Sequence, residues 1–283
     1  MISVVTSFYK PGNFKCLENN IRETIGIEYE LISIENPGVM GICAAYNKGA
    51  LRTQYDIICF VHDDVKFHTI NWGKKIVEIL QDHSVGIVGV AGGTYKSKIL
   101  SSAWYNGRSY INMIQHRNGE CFHWHEPKEY NSGLADVLVV DGVFIGLRKE
   151  VWEQCKFDEK WLQGFHFYDM DICLTVKSKG LRVCVSYEIL LEHFSFGSNN
   201  KEWYEEARLI HKKWHDKLPW SLQPVSKNEG NSFEYAAAAY KLKLVLKKPG
   251  FSLADKTKAI VDMVGVMPFK LRTYRTIKQT IFN

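Results

Sequence analysis

The stretch CFVHDDVKF, residues 59–67, holds an apolar run that stops abruptly at His62, Asp63 and Asp64. A short apolar run bounded by charge reads as a buried strand. Its acidic tip is either a solvated loop placed for solubility or a set of metal ligands delivered to the rim of a sheet. The sequence on either side bears on that choice.

Upstream, ISVVTSFY (2–9) is a β-rich run closed by Lys-Pro-Gly, and YELISIEN (29–36) is a second, closed by Asn-Pro-Gly. Between them, Leu17, Ile21 and Ile25 recur at the spacing of a surface helix over 13–26. GICAAYNKGALRT (41–53) predicts a helix whose Ala44, Ala45 and Leu51 face a sheet, and YDIICFV (55–61) is the third strand. Strands alternating with helices argue for a mostly parallel sheet with helices on both faces, and the near-continuous apolar strands agree.

Downstream, NWGKKIVEILQD (71–82) predicts a helix and VGIVGVAGG (85–93) a strand. Residues 94–135 lack periodicity, and a long irregular segment in a compact domain reads as binding loops. Residues 136–155 read as strand, turn, strand and helix start, 169–179 as a helix, 181–194 as further strand and 201–218 as a strong helix. The expected division is a catalytic domain at 1–218, a linker at 219–232 and a basic helical extension at 233–283.

Composition is that of an ordinary soluble globular protein, 46% apolar and 24% charged, with aromatics high at 13%. The seven cysteines sit singly with no CxxC pair, which reads as free thiols in a reducing compartment. The N-terminus lacks the basic region and apolar length of a signal peptide, and no apolar run is long enough to span a bilayer. A cytoplasmic location is expected. From residue 231 onward ten Lys/Arg stand against three Asp/Glu, whereas residues 1–230 are slightly acidic. The basic tail fits peripheral contact with an anionic inner membrane face, or packing on the catalytic domain or on a second copy in a homodimer. With no recognised nucleic-acid motif, nucleic-acid binding is not expected.

In open α/β sheets ligands gather beyond the carboxyl ends of the strands. Asp63 and Asp64 lie at such an end, and Glu35 ends the preceding strand. A second cluster, FHFYDMDICL (165–174), opens a helix with Asp169 and Asp171 among aromatic residues. Carboxylates in a first helical turn can simply favour the dipole, but a solvated cap needs no aromatic surroundings, whereas a base in a partly dry site does. A third feature, LLEHFSFGS, leaves an apolar run at Glu192-His193 and enters a Gly/Ser loop.

In this order the motifs resemble GT-A fold glycosyltransferases of the inverting family 2 type, over about residues 1–200. SVVTSFY resembles the first strand, AAYNKGA the Asn-x-Gly helix through Asn47 and Gly49, and VHDDV the DxD region. DGVFIGLRKEVWEQCKFDE is similar to the segment that places the acceptor loop, FHFYDMDICLTVKSKGLRV to the base motif and its helix, and EHFSFGS to the late metal-binding loop. The resemblance implies a GT-A sheet and transfer of a sugar from a nucleotide-sugar donor (UDP-, GDP- or dTDP-linked) to a hydroxyl of a glycan or lipid-linked saccharide. It implies Mn²⁺ or Mg²⁺ as cofactor. Glu35 would contact the base, Thr6, Ser7 and Tyr9 would shape its pocket, and Asn47 and Asp63 would lie on the donor side. Asp64 and His193 would hold the metal, and Asp169 would be the catalytic base.

For the sugar or acceptor side, the aromatic and hydrogen-bonding residues Trp104, Tyr105, Arg108, His123, Trp124 and His125 are candidates, with Asp141 beside them. Two positions depart from the pattern: His62 stands where DxD has its first aspartate, with Asp63 beside it, and Tyr168 stands where Glu is common before the base. His62 keeps open the alternative of a catalytically impaired GT-A-like sugar- or nucleotide-binding protein. A glycoside hydrolase has no use for a metal, and a dinucleotide oxidoreductase would show GxGxxG after the first strand, where this chain has FYKPGNF.

Overall fold

A computed structural model describes residues 1–102, 108–117, 119–197 and 199–282. From the N-terminus run β1 (Ile2–Phe8), α1 (Pro11–Thr24), β2 (Tyr29–Glu35), α2 (Ile42–Ala50) and β3 (Ile57–His62). A turn at Asp63-Asp64 leads into β4 (Val65–Phe67), α3 (Trp72–Leu80) and β5 (Val85–Gly89). β6 (Ala91–Gly93), β7 (Tyr95–Lys96), β8 (Ser109–Arg117) and β9 (Glu120–Glu126) follow. Then come β10 (Leu134–Val137), β11 (Val139–Val140), β12 (Phe144–Arg148), α4 (Lys149–Cys155), α5 (Tyr168–Ser178), β13 (Arg182–Ser186) and β14 (Leu191–His193). The chain ends in α6 (Lys201–Lys213), β15 (Trp220–Ser221), α7 (Lys227–Lys247), α8 (Leu253–Val266) and α9 (Leu271–Phe282).

The central sheet has the order β10-β13-β5-β12-β3-β1-β2. β1 is parallel to both β2 and β3, and β13 is parallel to β5, while β12 and β10 run against their neighbours. This is the mixed, mostly parallel α/β sheet expected of a GT-A domain. Helices cover both faces. α2 lies on the Val5 face, close enough that a Cβ on Gly49 would stand 2.3 Å from Val5 Cγ1. On the other face Ile76 of α3 reaches Gly146, which pairs through Cys59 with Val4. Phe67 and Trp72 stack at 4.2 Å with Phe144 edge-on, locking β4 and α3 to the sheet.

A second sheet, ordered β11-β6-β8-β14-β4 with β9 paired to β8, stands at the carboxyl ends of β3 and β5. Here sequence reading needs correction. VGIVGVAGG divides between the two sheets, as does the strand expected over 181–194. The segment read as irregular carries the β8–β9 hairpin. Its pattern is hidden because Ile111, Asn112, Met113 and Gln115 are all buried, so polar residues occupy interior positions and the period of two disappears.

Residues 219–232 contain β15, paired with β7, and the Ser226-capped start of α7. Buried Glu234 of α7 accepts hydrogen bonds from Tyr95 Oη at 2.7 Å and Ser97 Oγ at 2.8 Å, while Lys241 pairs with Asp262 of α8 at 2.6 Å. The basic helical extension is therefore joined by buried polar contacts to the strands after β6. Among the described residues no helix is long and apolar enough to cross a membrane.

Candidate active site

The carboxyl end of β3 projects into the space between the two sheets, and β14 reaches the same space from the second sheet. The Nε2 of His193 lies 3.5 Å from Asp64 Oδ1, and the Nδ1 of His62 lies 4.0 Å from the same oxygen. One ligand atom from each of His62, Asp64 and His193 falls within 4.8 Å of the others.

Hydrogen bonding fixes which nitrogen of each ring is free. The Tyr168 hydroxyl donates to the Gly142 carbonyl at 3.1 Å, so at its 2.7 Å contact with His62 it accepts from Nε2–H. That leaves the Nδ1 lone pair of His62 on the Asp64 side. Gln115 spends its amide N–H groups on the carbonyls of His116, His193 and Ser195. Its Oε1 therefore accepts from Nδ1–H of His193 at 3.3 Å, and the Nε2 lone pair of His193 also faces Asp64, with the Ser195 hydroxyl 3.3 Å from it. Two imidazole lone pairs converging on one carboxylate, each oriented by a partner on the far nitrogen, form a fitted divalent-cation donor set. A set of two nitrogens and one oxygen suits Mn²⁺ better than Mg²⁺, which prefers oxygen.

The electrostatics separate the two neighbouring aspartates. Burial works to raise the Asp64 carboxyl, but with no cation bound an Nε2–H of His193, helped by His62 and Ser195, holds it well below the usual carboxylate range; the converging lone pairs belong to the cation-bound arrangement. Burial and the Asp64 charge push Asp63 up to about 6, and its buried Oδ2 has no hydrogen-bond partner among the described residues. Burial and the neighbouring His193 lower His62, favouring the neutral ring that a metal requires.

Asp169 occupies the first turn of α5, preceded by Phe167 with φ 62°, a left-handed conformation costly for a bulky residue and typical of functional corners. Its Oδ2 accepts from the Gly142 N–H at 3.0 Å and Oδ1 from the Met170 N–H at 2.8 Å. Burial and the nearby Asp141 charge nevertheless push it up to about 7. Tyr168 is held by Tyr46 and Phe157, at ring distances of 5.6 and 5.9 Å. A Cβ on Gly142 would meet its hydroxyl at 2.1 Å, so only glycine admits the Tyr168–Gly142 contact. Asp171 points elsewhere and is bonded to Lys213 and Trp214, both at 2.8 Å.

Asp141, Asp169, His62 and His193 line one cavity of about 630 Å³. Its walls carry Trp124, Phe165, Phe196 and Trp203, and α7 adds Tyr240, Lys243 and Lys247. The other sequence candidates fall in three groups. Thr6, Ser7, Tyr9 and Glu35 lie at the carboxyl ends of β1 and β2, where Ser7 pairs with His62 and Phe8 with Glu35. Tyr9 is exposed, and Thr6 Oγ1 is buried without a hydrogen-bond partner among the described residues. Asn47 is not brought to this cavity: its amide is used by Phe157, Glu159 and Trp152. Nor is Arg108, which binds Gln223 and Glu229. His123 and His125 face away from Trp124 on β9 and share the Asn112 Oδ1 acceptor, each at 3.2 Å. Trp104 and Tyr105 lie outside the described residues.

Sequence reading treats His62 as a departure from DxD and Tyr168 as a departure from the base motif, and assigns neither a contact; Gly142 is not singled out. The available signal was the i, i+2 spacing of His62 and Asp64 at a strand end. The lining from α7 carried no such signal.

A family model described as a glycosyltransferase-like family matches residues 7–215. No curated protein matches the chain. Among solved structures, the chain is similar to a crystal structure of GalNAc-T7 with UDP, GalNAc and Mn²⁺, at 10% identity and a TM-score of 0.49. That match covers 99% of this chain and 55% of the other, so the chain spans about half its length. It is also similar to the crystal structure of A197 from STIV, at 16% identity and a TM-score of 0.40, covering 69% of this chain and 86% of that one. The family match extends over most of the chain and includes every side chain that frames the two carboxylate centres, and on that ground the chain belongs to this glycosyltransferase-like family.

Proposed function

We propose that the protein is a metal-dependent, inverting glycosyltransferase that moves a sugar from a nucleotide-sugar donor to a hydroxyl group. The observation that carries this reading is the convergence of His62 Nδ1 and His193 Nε2 on Asp64: the two rings line the cavity of the base-competent Asp169, and Asp64 lines the neighbouring pocket with Asp63 and Lys10. His62, Asp64 and His193 would hold Mn²⁺, which when bound supplies positive charge against a departing diphosphate. Glu35, Thr6, Ser7 and Tyr9, at adjoining strand tips, are assigned to the nucleotide, with Asp63 between them and the metal ligands.

In the reaction, Asp169 accepts the proton of the acceptor hydroxyl. The freed oxygen lone pair forms the bond to the anomeric carbon as the bond from that carbon to the diphosphate oxygen breaks. The Gly142 and Met170 N–H groups hold the Asp169 carboxylate in place, and Tyr168 joins the base segment to His62. The aromatic walls at Trp124, Phe165 and Trp203 suit the faces of a saccharide acceptor and narrow the access of water. His62, the residue that suggested impaired catalysis, contributes a usable ligand atom, which supports an active enzyme. For the C-terminal region we assign peripheral contact with an anionic membrane surface. Exposed Leu253, Val261, Phe269 and Leu271 are interleaved there with Lys256, Lys258, Lys270 and Arg272. The catalytic reading is tested by nucleotide release from a panel of nucleotide sugars with Mn²⁺ and saccharide acceptors, with the anomeric configuration of the product read by NMR. Inverted linkage supports it, whereas retained linkage contradicts the role given to Asp169.

A further inference from the structure

On the opposite face of the second sheet lies a separate group of side chains with metal-ligand chemistry. Antiparallel pairing sets His116 of β8 opposite Cys121 of β9. β14 runs parallel to β8 with Glu192 opposite Ile114, and β4 pairs Lys66 with Glu192, which puts His68 on the same face two residues later. Because side chains alternate along a strand, Glu192 and His116 point away from the cavity that their neighbours His193 and Gln115 serve. The Nε2 of His116 is 2.7 Å from Glu192 Oε1, and the Nε2 of His68 is 2.8 Å from Glu192 Oε2. Ligand atoms of His116, Cys121 and Glu192 all lie within 4.8 Å of one another. A carboxylate bridging two imidazoles is a sufficient hydrogen-bonded unit, but it does not account for a thiol brought to the same point. Cys121 is exposed and makes no hydrogen bond among the described residues.

We propose that His116, Cys121 and Glu192 form a second cation site that takes Zn²⁺, with His68, bonded to the other oxygen of Glu192, orienting that carboxylate. Imidazole, thiolate and carboxylate are the donors zinc selects, and three of them leave the fourth position to water. Tetrahedral ligands at zinc bond lengths of about 2.0–2.3 Å stand about 3.3–3.6 Å apart, so closure requires shifts on the order of 1 Å in half-exposed side chains. Binding converts the Cys121 thiol to thiolate and releases its proton to solvent. The site would pin β9 and β14 against β8. Through Arg117 and Trp124, which line the cavity on the hairpin, it would fix one wall of the candidate active site.

The test is Co²⁺ titration of the reduced, full-length chain, read as near-ultraviolet thiolate-to-cobalt charge-transfer absorption. The ligands proposed for the catalytic cation are nitrogen and oxygen, so that site is silent in this band. One equivalent of Co²⁺ should develop the band in the wild type, and Zn²⁺ should displace it. The band should be lost in Cys121→Ser, weakened at least tenfold in affinity in His116→Ala, and retained in both Asp64→Asn and Cys16→Ser. Absence of the band in the folded wild type overturns the proposal, as does its survival in Cys121→Ser or its loss in Asp64→Asn. No nucleotide or sugar is present, so the outcome is independent of glycosyl transfer.

Discussion

Asp169 combines two features that a helix cap alone does not require, an acidity weakened by burial and a cavity shared with His62 and His193 of the cation donor set. Replacement by Asn keeps the shape and removes the base. Turnover should fall about 10²–10⁴-fold, equivalent to about 3–5 kcal/mol in the barrier, while nucleotide affinity is preserved. Its acidity also sets a pH profile. Below about 7 the Asp169 carboxyl holds a proton and cannot accept another, so kcat/KM should drop about tenfold per pH unit on the acid side and level off above it. Steady-state rates between pH 5 and 9 would check this, and a profile flat through neutral pH would contradict it. Asp64, His193 and Asp169 were legible in the sequence because each interrupts an apolar element where strand or helix ends face the ligand crevice. His62 was not, because a histidine beside two aspartates reads as substitution for a carboxylate until Tyr168 and Gln115 fix the free nitrogen of each ring.

At the scale of elements, the first five alternating units were readable because each buries a continuous apolar stretch or a helical stripe. Gly49 of α2 shows how closely helix and sheet meet: a Cβ there would stand 2.3 Å from Val5 Cγ1. Gly49→Ala should lower stability by about 1–3 kcal/mol in urea denaturation despite the roughly 1 kcal/mol gain in helix propensity, because overpacking outweighs it. The β8–β9 hairpin escaped notice for the opposite reason. Its buried polar residues, Asn112 and Gln115, are satisfied by carbonyls of the chain near β14, so hydrophobic alternation is not what specifies it. The contribution of α7 to the cavity is a long-range contact, and its lysines read as a merely solvated face. Asn47 illustrates a converse case: it lies in a helix that resembles a donor-side motif, yet its amide ties α2 to the loop after α4.

Across the whole molecule, charge and apolar exposure gather at the C-terminal helices, where Phe269 is 96% exposed beside Lys270 and Arg272. Co-sedimentation with anionic vesicles, but not with neutral ones, is expected for the wild type, and the double substitution Phe269→Asp, Leu271→Asp should abolish it. Unchanged sedimentation of the variant, or a doubled solution mass that hides this face between copies, would contradict the membrane assignment. The central claim concerns the cavity, where His62 and His193 from the two sheets meet Asp169 from α5. It is tested most directly by calorimetric titration with UDP, GDP and dTDP, with and without Mn²⁺, on the wild type and Asp64→Asn. The account predicts that one nucleotide binds the wild type with Mn²⁺ and at least tenfold more weakly when either the metal or the Asp64 carboxylate is removed. Binding that is indifferent to both, or no binding of any of the three, would contradict it.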